Sequence, residues 1–314
     1  MNPIAEHLAA SPLRSGTMIL DGAMATELEA RGADLRDPLW SAKILIEQPH
    51  LIHQVHLDYF AAGADVATTA TYQASFEGFA RRGIASDGAA ALMRSAVDLA
   101  RSARDEFWGA AANRPGRLRP LVAASIGPYG ATLADGSEYR GHYTLSDSEL
   151  ADFHRPRLQV LAESGADLLA IETLPCEREA LVLAQLLQEC APIPAWIAFT
   201  CKDRLHTAEG QRIRDCVTRL APYPQVIAVG VNCTQPGLIV PLLEEMRACT
   251  DKPLIVYPNS GEHYDGEARH WMGSADSTPF AASAKAWCRA GARIIGGCCR
   301  TAPADIRALR CVLS

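Results

Sequence analysis

A single (β/α)8 barrel is the fold this sequence predicts, and three observations predict it. Eight short apolar or β-branched runs recur along the 314 residues, stretches with helical apolar spacing lie between them, and a Gly-Ala-Asp type of junction repeats where helix gives way to strand. Alternating strand and helix builds a parallel sheet, and eight units close a barrel. A doubly wound open sheet shares the alternation but rarely needs eight units.

The first strand is expected at Met18 to Ala23 and is followed by a long connection up to Trp40, then a helix from Ser41 to Ala61. The second unit pairs a strand at Asp65 to Tyr72 with a helix at Asp87 to Phe107. The third runs from Pro120 to Pro128, then through a long connection, Tyr129 to Leu145, to a helix at Ser146 to Ser164. Asp167 to Thr173 and Glu177 to Cys190 form the fourth. The fifth strand, Pro194 to Cys201, has no clear helix after it. Strands at Gln225 to Cys233, Leu254 to Ser260 and Arg293 to Cys299 complete the set, with helices at Leu238 to Cys249, Ala281 to Ala290 and Pro303 to Val312.

The repeated junctions are Gly63-Ala64-Asp65, Gly165-Ala166-Asp167 and Gly291-Ala292-Arg293; a helix-ending glycine in left-handed backbone explains why the letter recurs. One domain over residues 1–314, with a core from about 18 to 310, follows from the even spacing of the units. The composition, 48% hydrophobic and 21% charged, is that of a globular protein with ample core.

A formal net charge of −6 offers no basic field to phosphates, which argues against a nucleic-acid partner. No apolar run reaches the roughly 18 residues needed to span a bilayer, and Met1 to Gly16 lacks the apolar segment of a secretory signal. A cytoplasmic enzyme with small-molecule partners and no membrane role is the expectation. Ten cysteines without framework spacing read as mostly reduced thiols. No arm or exposed apolar helix suggests assembly, so a monomer is expected.

In a barrel of this kind the active face is the C-terminal rim, which singles out the residues that end each strand. They include Asp21, Gly22 and Ala23, then Thr71 and Tyr72, Ser125, Glu172, Asn232 and Cys233, Asn259 and Ser260, and Cys298 and Cys299. Three thiolates suit Zn2+ and leave its fourth position open, as a catalytic rather than a structural site requires. Cys298 and Cys299 can share a metal only where the strand breaks, and Gly296-Gly297 allow that break. The other reading is three inert buried cysteines.

Glu172 follows a buried run, Leu168 to Ile171, and its carboxylate suits either a ligand ammonium or a structural arginine. Asp21 invites the same two readings, and Gly22 beside it would let a ligand approach backbone N–H groups. Trp40, Tyr72, Phe76, Tyr129, Tyr139, Tyr143 and Tyr257 lie in or near the rim loops and either surround a cation or pack. His50, His53 and His56 share helical spacing and are assigned no chemistry.

These residues together resemble the homocysteine S-methyltransferase family, over about Met18 to Leu309. The motifs are Ile19-Leu20-Asp21-Gly22-Ala23-Met24-Ala25-Thr26-Glu27-Leu28, Thr69-Ala70-Thr71-Tyr72-Gln73-Ala74-Ser75, Ile171-Glu172-Thr173-Leu174-Pro175, Gly230-Val231-Asn232-Cys233-Thr234 and Gly296-Gly297-Cys298-Cys299-Arg300-Thr301. The resemblance implies a TIM barrel with Cys233, Cys298 and Cys299 as zinc ligands. It implies Asp21 and Glu172 as partners of the homocysteine amino group, the Ala23-Met24 backbone near its carboxylate, and Thr71 and Asn232 in the surrounding shell.

Ser125 to Gly130 and Asp135 to Gly141 are similar to the branch that uses sulfonium donors, S-methylmethionine or, less well, S-adenosylmethionine. The chain shows neither the long C-terminal extension of betaine-using members nor cobalamin modules. The rival readings are a barrel lyase with Glu172 as base and a non-catalytic binder of zinc or homocysteine.

Overall fold

The computed structural model describes residues 2–34, 41–261, 263–265, 270–272 and 280–314; Trp40 lies outside them. A short helix α1 (Pro3–Ala10) precedes strand β1 (Met18–Ile19). Helices α2 (Met24–Ala30), α3 (Ser41–Glu47) and α4 (Pro49–Ala62) lead to β2 (Val66–Thr68), then α5 (Phe76–Ala80) and α6 (Ser86–Gly109). The units β3 (Leu121–Ile126) and α7 (Asp147–Ala162), β4 (Leu168–Leu174) and α8 (Glu177–Leu186), and β5 (Ala195–Phe199) and α9 (Ile213–Leu220) follow. After β6 (Val226–Asn232), α10 (Ile239–Arg247) and β7 (Leu254–Tyr257) comes an antiparallel pair, β8 (His263–Asp265) with β9 (His270–Met272). The chain continues through α11 (Phe280–Ala290), β10 (Ala292–Ile295) and α12 (Pro303–Leu313).

Eight of these strands pair in parallel in the order β1-β10-β7-β6-β5-β4-β3-β2, and a bridge between Leu20 and Val66 joins the two ends into a barrel. The side-chain period of two sorts the core. Met18, Leu20, Val66, Ala123, Ala170, Trp196, Ala228, Ile255 and Ile294 face inward and form one cluster. Their neighbours Ile19, Val122, Ala124, Leu169, Ile171, Ile197, Val229 and Val256 face the helices and form another. Ile4 of α1, fully buried, joins the inner cluster, so a segment ahead of the first strand contributes to the barrel interior.

Two expectations about elements are corrected. The helix expected over Ser41 to Ala61 is two helices, α3 and α4, because Pro49 cannot donate to a continuing ladder and starts the second one after Gln48. The fifth unit has its helix, α9, with Ile213, Cys216, Val217 and Leu220 buried at i, i+3, i+4 and i+7. Arg214, Asp215 and Arg219 stand between those positions and hide the apolar stripe.

The repeated junction does more than end a helix. Gly63, Gly165 and Gly291 all have positive φ, as the helix-ending role requires. In the first two, the aspartate also stitches strands together: Asp65 accepts from the Ile19 amide at 3.0 Å and Asp167 from the Val122 amide at 2.7 Å. Arg310 pairs with Asp65 and Arg104 with Asp167. Arg293 replaces the acid in the third junction.

Candidate active site

The same alternation that builds the core carries polar groups to the barrel mouth. Ser125, Glu172, Asn232 and Tyr257 each lie two residues beyond Ala123, Ala170, Gly230 and Ile255, so they form the next inward layer. Gly230 is glycine because a side chain there would collide with the Ile255 carbonyl oxygen of β7.

Glu172 is 8% exposed. Ser125 Oγ donates a short hydrogen bond to its Oε1, and the Tyr257 hydroxyl donates another. Tyr257 in turn accepts from Trp196 Nε1 at 3.0 Å. Neither of these partners is a cation, so among the described residues no arginine bonds the carboxylate. Burial pushes its carboxyl up to about 7, against the pull of the two hydroxyls.

Asp21 follows β1 and is buried. Its Oδ2 accepts from the Thr68 amide at 2.8 Å, and its Oδ1 from Thr68 Oγ1 at 3.1 Å. Burial raises its carboxyl well above the ordinary range; the Thr68 bonds oppose that, and the charge of Glu172 adds to it. No arginine is among its hydrogen-bond partners. Gly22 has a packing reason rather than a ligand-binding one, since a Cβ would press on Thr301 Oγ1 at 2.8 Å and the Tyr59 hydroxyl at 2.9 Å. The Ala23 amide is spent on Thr301 O at 3.2 Å. Met24 opens α2, whose first-turn amides have no acceptor within the helix.

Thr71 and Asn232 sit in the site with their polar atoms already engaged. Thr71 Oγ1 donates to Ser125 O at 2.7 Å and bonds Thr69 Oγ1 at 2.7 Å. Asn232 clasps Thr173, whose backbone is left-handed at φ 60°, and its Nδ2 lies 3.9 Å from Cys298 Sγ.

The three cysteines converge. Cys233, Cys298 and Cys299 offer sulfurs that all lie within 4.8 Å of one another, and among the described residues this is the one His/Cys/Asp/Glu group with metal-ligand geometry. Cys233 stands just past β6 in left-handed backbone, φ 44°, its amide held by Tyr257 O and its carbonyl by Thr200 Oγ1. The last strand stops at Ile295, as a shared metal requires. Beyond it, Cys298 N bonds Pro258 O and Cys299 O accepts from Ser260 N. Arg300 then reverses the chain at φ 68°, and Thr301 closes the turn onto Cys298 O. Gly297 leaves room for that turn, because a Cβ would strike Thr301.

Cys233 and Cys298 are joined as a disulfide, and Cys233 Sγ lies 3.6 Å from Cys299 Sγ. Burial pushes the Cys299 thiol up to about 12, with the Tyr139 hydroxyl bond opposing, so a thiolate there needs a strong positive charge nearby. Three thiolates are the soft donor set that selects zinc-like ions over magnesium or calcium. The other cysteines, Cys176, Cys190, Cys201, Cys216, Cys249, Cys288 and Cys311, lie apart from this group.

Residues that the strand-end argument missed complete the site. Thr68 fixes Asp21, Thr173 meets Asn232, and Glu138 is buried in the loop after β3, near Tyr72, Tyr139 and Cys299. The aromatics divide. Tyr72, Tyr139 and Tyr257 border the site, whereas Tyr129 packs edge-on against Tyr143 and Phe153 behind the loop.

An eight-stranded parallel barrel whose mouth holds two buried carboxylates and three converging cysteines defines a barrel enzyme with a cysteine cluster that could hold a metal ion once reduced. A family model described as homocysteine S-methyltransferase matches residues 18–313. The chain belongs to the homocysteine S-methyltransferase family. It is 54% identical over 307 residues to homocysteine S-methyltransferase YbgG of Bacillus subtilis (strain 168), covering 98% of this chain and 96% of the relative. It superposes on the crystal structure of the homocysteine methyltransferase MmuM from Escherichia coli in its metallated form with TM-score 0.87 at 47% identity, covering 99% of both chains. The oxidised form of that protein gives 0.88 at 48%, again with 99% of each chain covered.

Proposed function

We propose that this chain transfers a methyl group from S-methylmethionine, or less well S-adenosylmethionine, to the sulfur of homocysteine, forming methionine, with zinc held by Cys233, Cys298 and Cys299. Family membership supports homocysteine as acceptor. The observation that carries the reading is the convergence of three cysteine sulfurs beside two buried carboxylates that, among the described residues, have no cationic hydrogen-bond partner.

When bound, zinc would supply the positive charge that keeps the acceptor sulfur a thiolate at pH 7, a task of roughly 2 kcal/mol for an ordinary thiol. The chain's own residues do the rest by placement. Glu172 and Asp21 accept from the homocysteine ammonium. The first-turn amides of α2, from Met24 on, face its carboxylate. Thr71 holds the end of β3 and Asn232 the end of β4, so Ser125 and Glu172 keep their positions. No general acid is required, because the donor leaves as a neutral thioether. Oriented approach of the two sulfurs can supply up to about 7 to 11 kcal/mol of the barrier.

The test is methionine formation from homocysteine and S-methylmethionine by reduced, zinc-loaded protein. Turnover lost on chelation and restored by zinc supports the reading. No methionine from protein that has retained zinc overturns the choice of donor.

A further inference from the structure

Glu138 is a buried acid that the acceptor side of the site does not use. It lies on a single 3-10 turn, Ser137–Tyr139, entered through Gly136 in left-handed backbone at φ 80° and pinned where the Ser137 amide bonds Asp135 Oδ1 at 2.9 Å. The residue is 5% exposed; its own backbone amide bonds the carboxylate, and Oε2 is buried with no hydrogen-bond partner among the described residues. Arg140, whose charge acts on it, is exposed and shared with Asp135. The carboxylate comes within electrostatic reach of Tyr72, Tyr139 and Cys299. Burial pushes its carboxyl up to about 7, which a neighbouring cation would reverse. A buried carboxylate with one oxygen left unpaired destabilises the fold, and a ligand that brings a positive charge removes that penalty.

We infer that Glu138 is the counter-charge for the sulfonium of the methyl donor, with Tyr72 and Tyr139 flanking it as the aromatic walls of the same subsite. This rests on the methyl-transfer reading above and assigns the donor side of it. In the reaction the bond from the donor sulfur to methyl breaks, its electron pair returns to that sulfur, and the homocysteine sulfur forms the new bond, so the positive charge facing Glu138 disappears. Glu138 therefore favours bound donor over bound methionine, and the loss of that attraction assists product release.

The experiment is steady-state kinetics of reduced, zinc-loaded wild type and Glu138→Gln with S-methylmethionine and homocysteine, together with inhibition by methionine. The expected result is a donor KM raised about ten- to a hundredfold, the range for losing a charge-assisted contact. The homocysteine KM and the methionine inhibition constant should move less than about twofold. A donor KM that does not change, or one that rises together with the other two constants, overturns the assignment. If Glu138→Gln does not fold, wild type is challenged with the neutral isostere in which CH replaces the sulfonium sulfur. Binding of the isostere about tenfold or more weaker than S-methylmethionine supports the subsite, and equal binding overturns it. Failure of the wild type to turn over S-methylmethionine overturns the parent reading and this one with it, whereas wild-type turnover with an unmoved variant overturns Glu138 alone.

Discussion

Asn232 grips Thr173 at both ends of its side-chain amide: Oδ1 accepts from the Thr173 amide at 2.8 Å, and Nδ2 donates to Thr173 Oγ1 at 2.7 Å. This clasp joins the strand that ends at Asn232, just ahead of Cys233, to the one that carries Glu172, and it holds Thr173 in left-handed backbone. Asn232→Ala leaves the buried Thr173 N–H unpaired and takes one of the partners of its hydroxyl. A loss of about 1 to 3 kcal/mol in urea unfolding is expected, with a rise in the homocysteine KM as Glu172 loses its backing. Unchanged stability would show that the clasp does not hold the strand end.

Cys298→Ala removes one of the three sulfurs and should abolish both zinc retention, measured as metal per chain, and turnover. A variant that keeps one zinc per chain and full activity would sink the ligand assignment. The Cys233–Cys298 disulfide commits two of the three donors, so oxidised protein should take up zinc only after reduction. The free-thiol count should rise by two in the same step.

Glu172 gives the acceptor step a pH limb. Its carboxyl is raised to about 7 by burial, and the ionised form is the one that holds an ammonium. Homocysteine kcat/KM should therefore fall as pH drops through about 7. Glu172→Gln should lower the value at pH 8 by about ten- to a hundredfold and remove the limb. A limb that survives in the variant belongs to another group.

His56 is fully buried on α4 with neither ring nitrogen hydrogen-bonded; burial, with a smaller contribution from the charge of His53, lowers its pKa to about 3. The unfolded chain takes up this proton near 6.5 and the folded chain only near 3. The contribution is thus intact above about 6.5 and is lost progressively as pH falls between those values. By pH 5 the loss is about 2 kcal/mol. Urea midpoints at pH 7.5 and 5 should show wild type losing that much more than His56→Leu, and equal losses would rule His56 out as the cause.

Much of this was legible in the letters, for a geometric reason. Period two carries Ser125, Glu172, Asn232 and Tyr257 inward from apolar or glycine neighbours, so strand ends found by pattern bring these residues to the mouth. Gly296-Gly297 likewise foretold the break that lets Cys298 and Cys299 meet. What the letters do not carry is how each polar atom is spent. Thr71 and Asn232 look available in sequence, yet their partners Ser125 and Thr173 lie 54 and 59 residues away. Gly22 looked like an opening for a ligand and is instead a seat for Tyr59 and Thr301. Glu138 sits in an irregular turn, where neither helical nor strand period applies, and only the folded packing shows that it is buried.

Where the barrel closes, β1 and β2 are short, and the Thr68 amide is held not by a main-chain carbonyl but by Asp21. The seam of the cylinder is therefore fastened by the same carboxylate proposed to accept from the homocysteine ammonium. An ammonium arriving there keeps Asp21 ionised, the better acceptor, and tightens its hold on Thr68. Solvent exchange at that single amide then becomes a gauge of occupancy: the loaded barrel breathes less at its seam than the empty one.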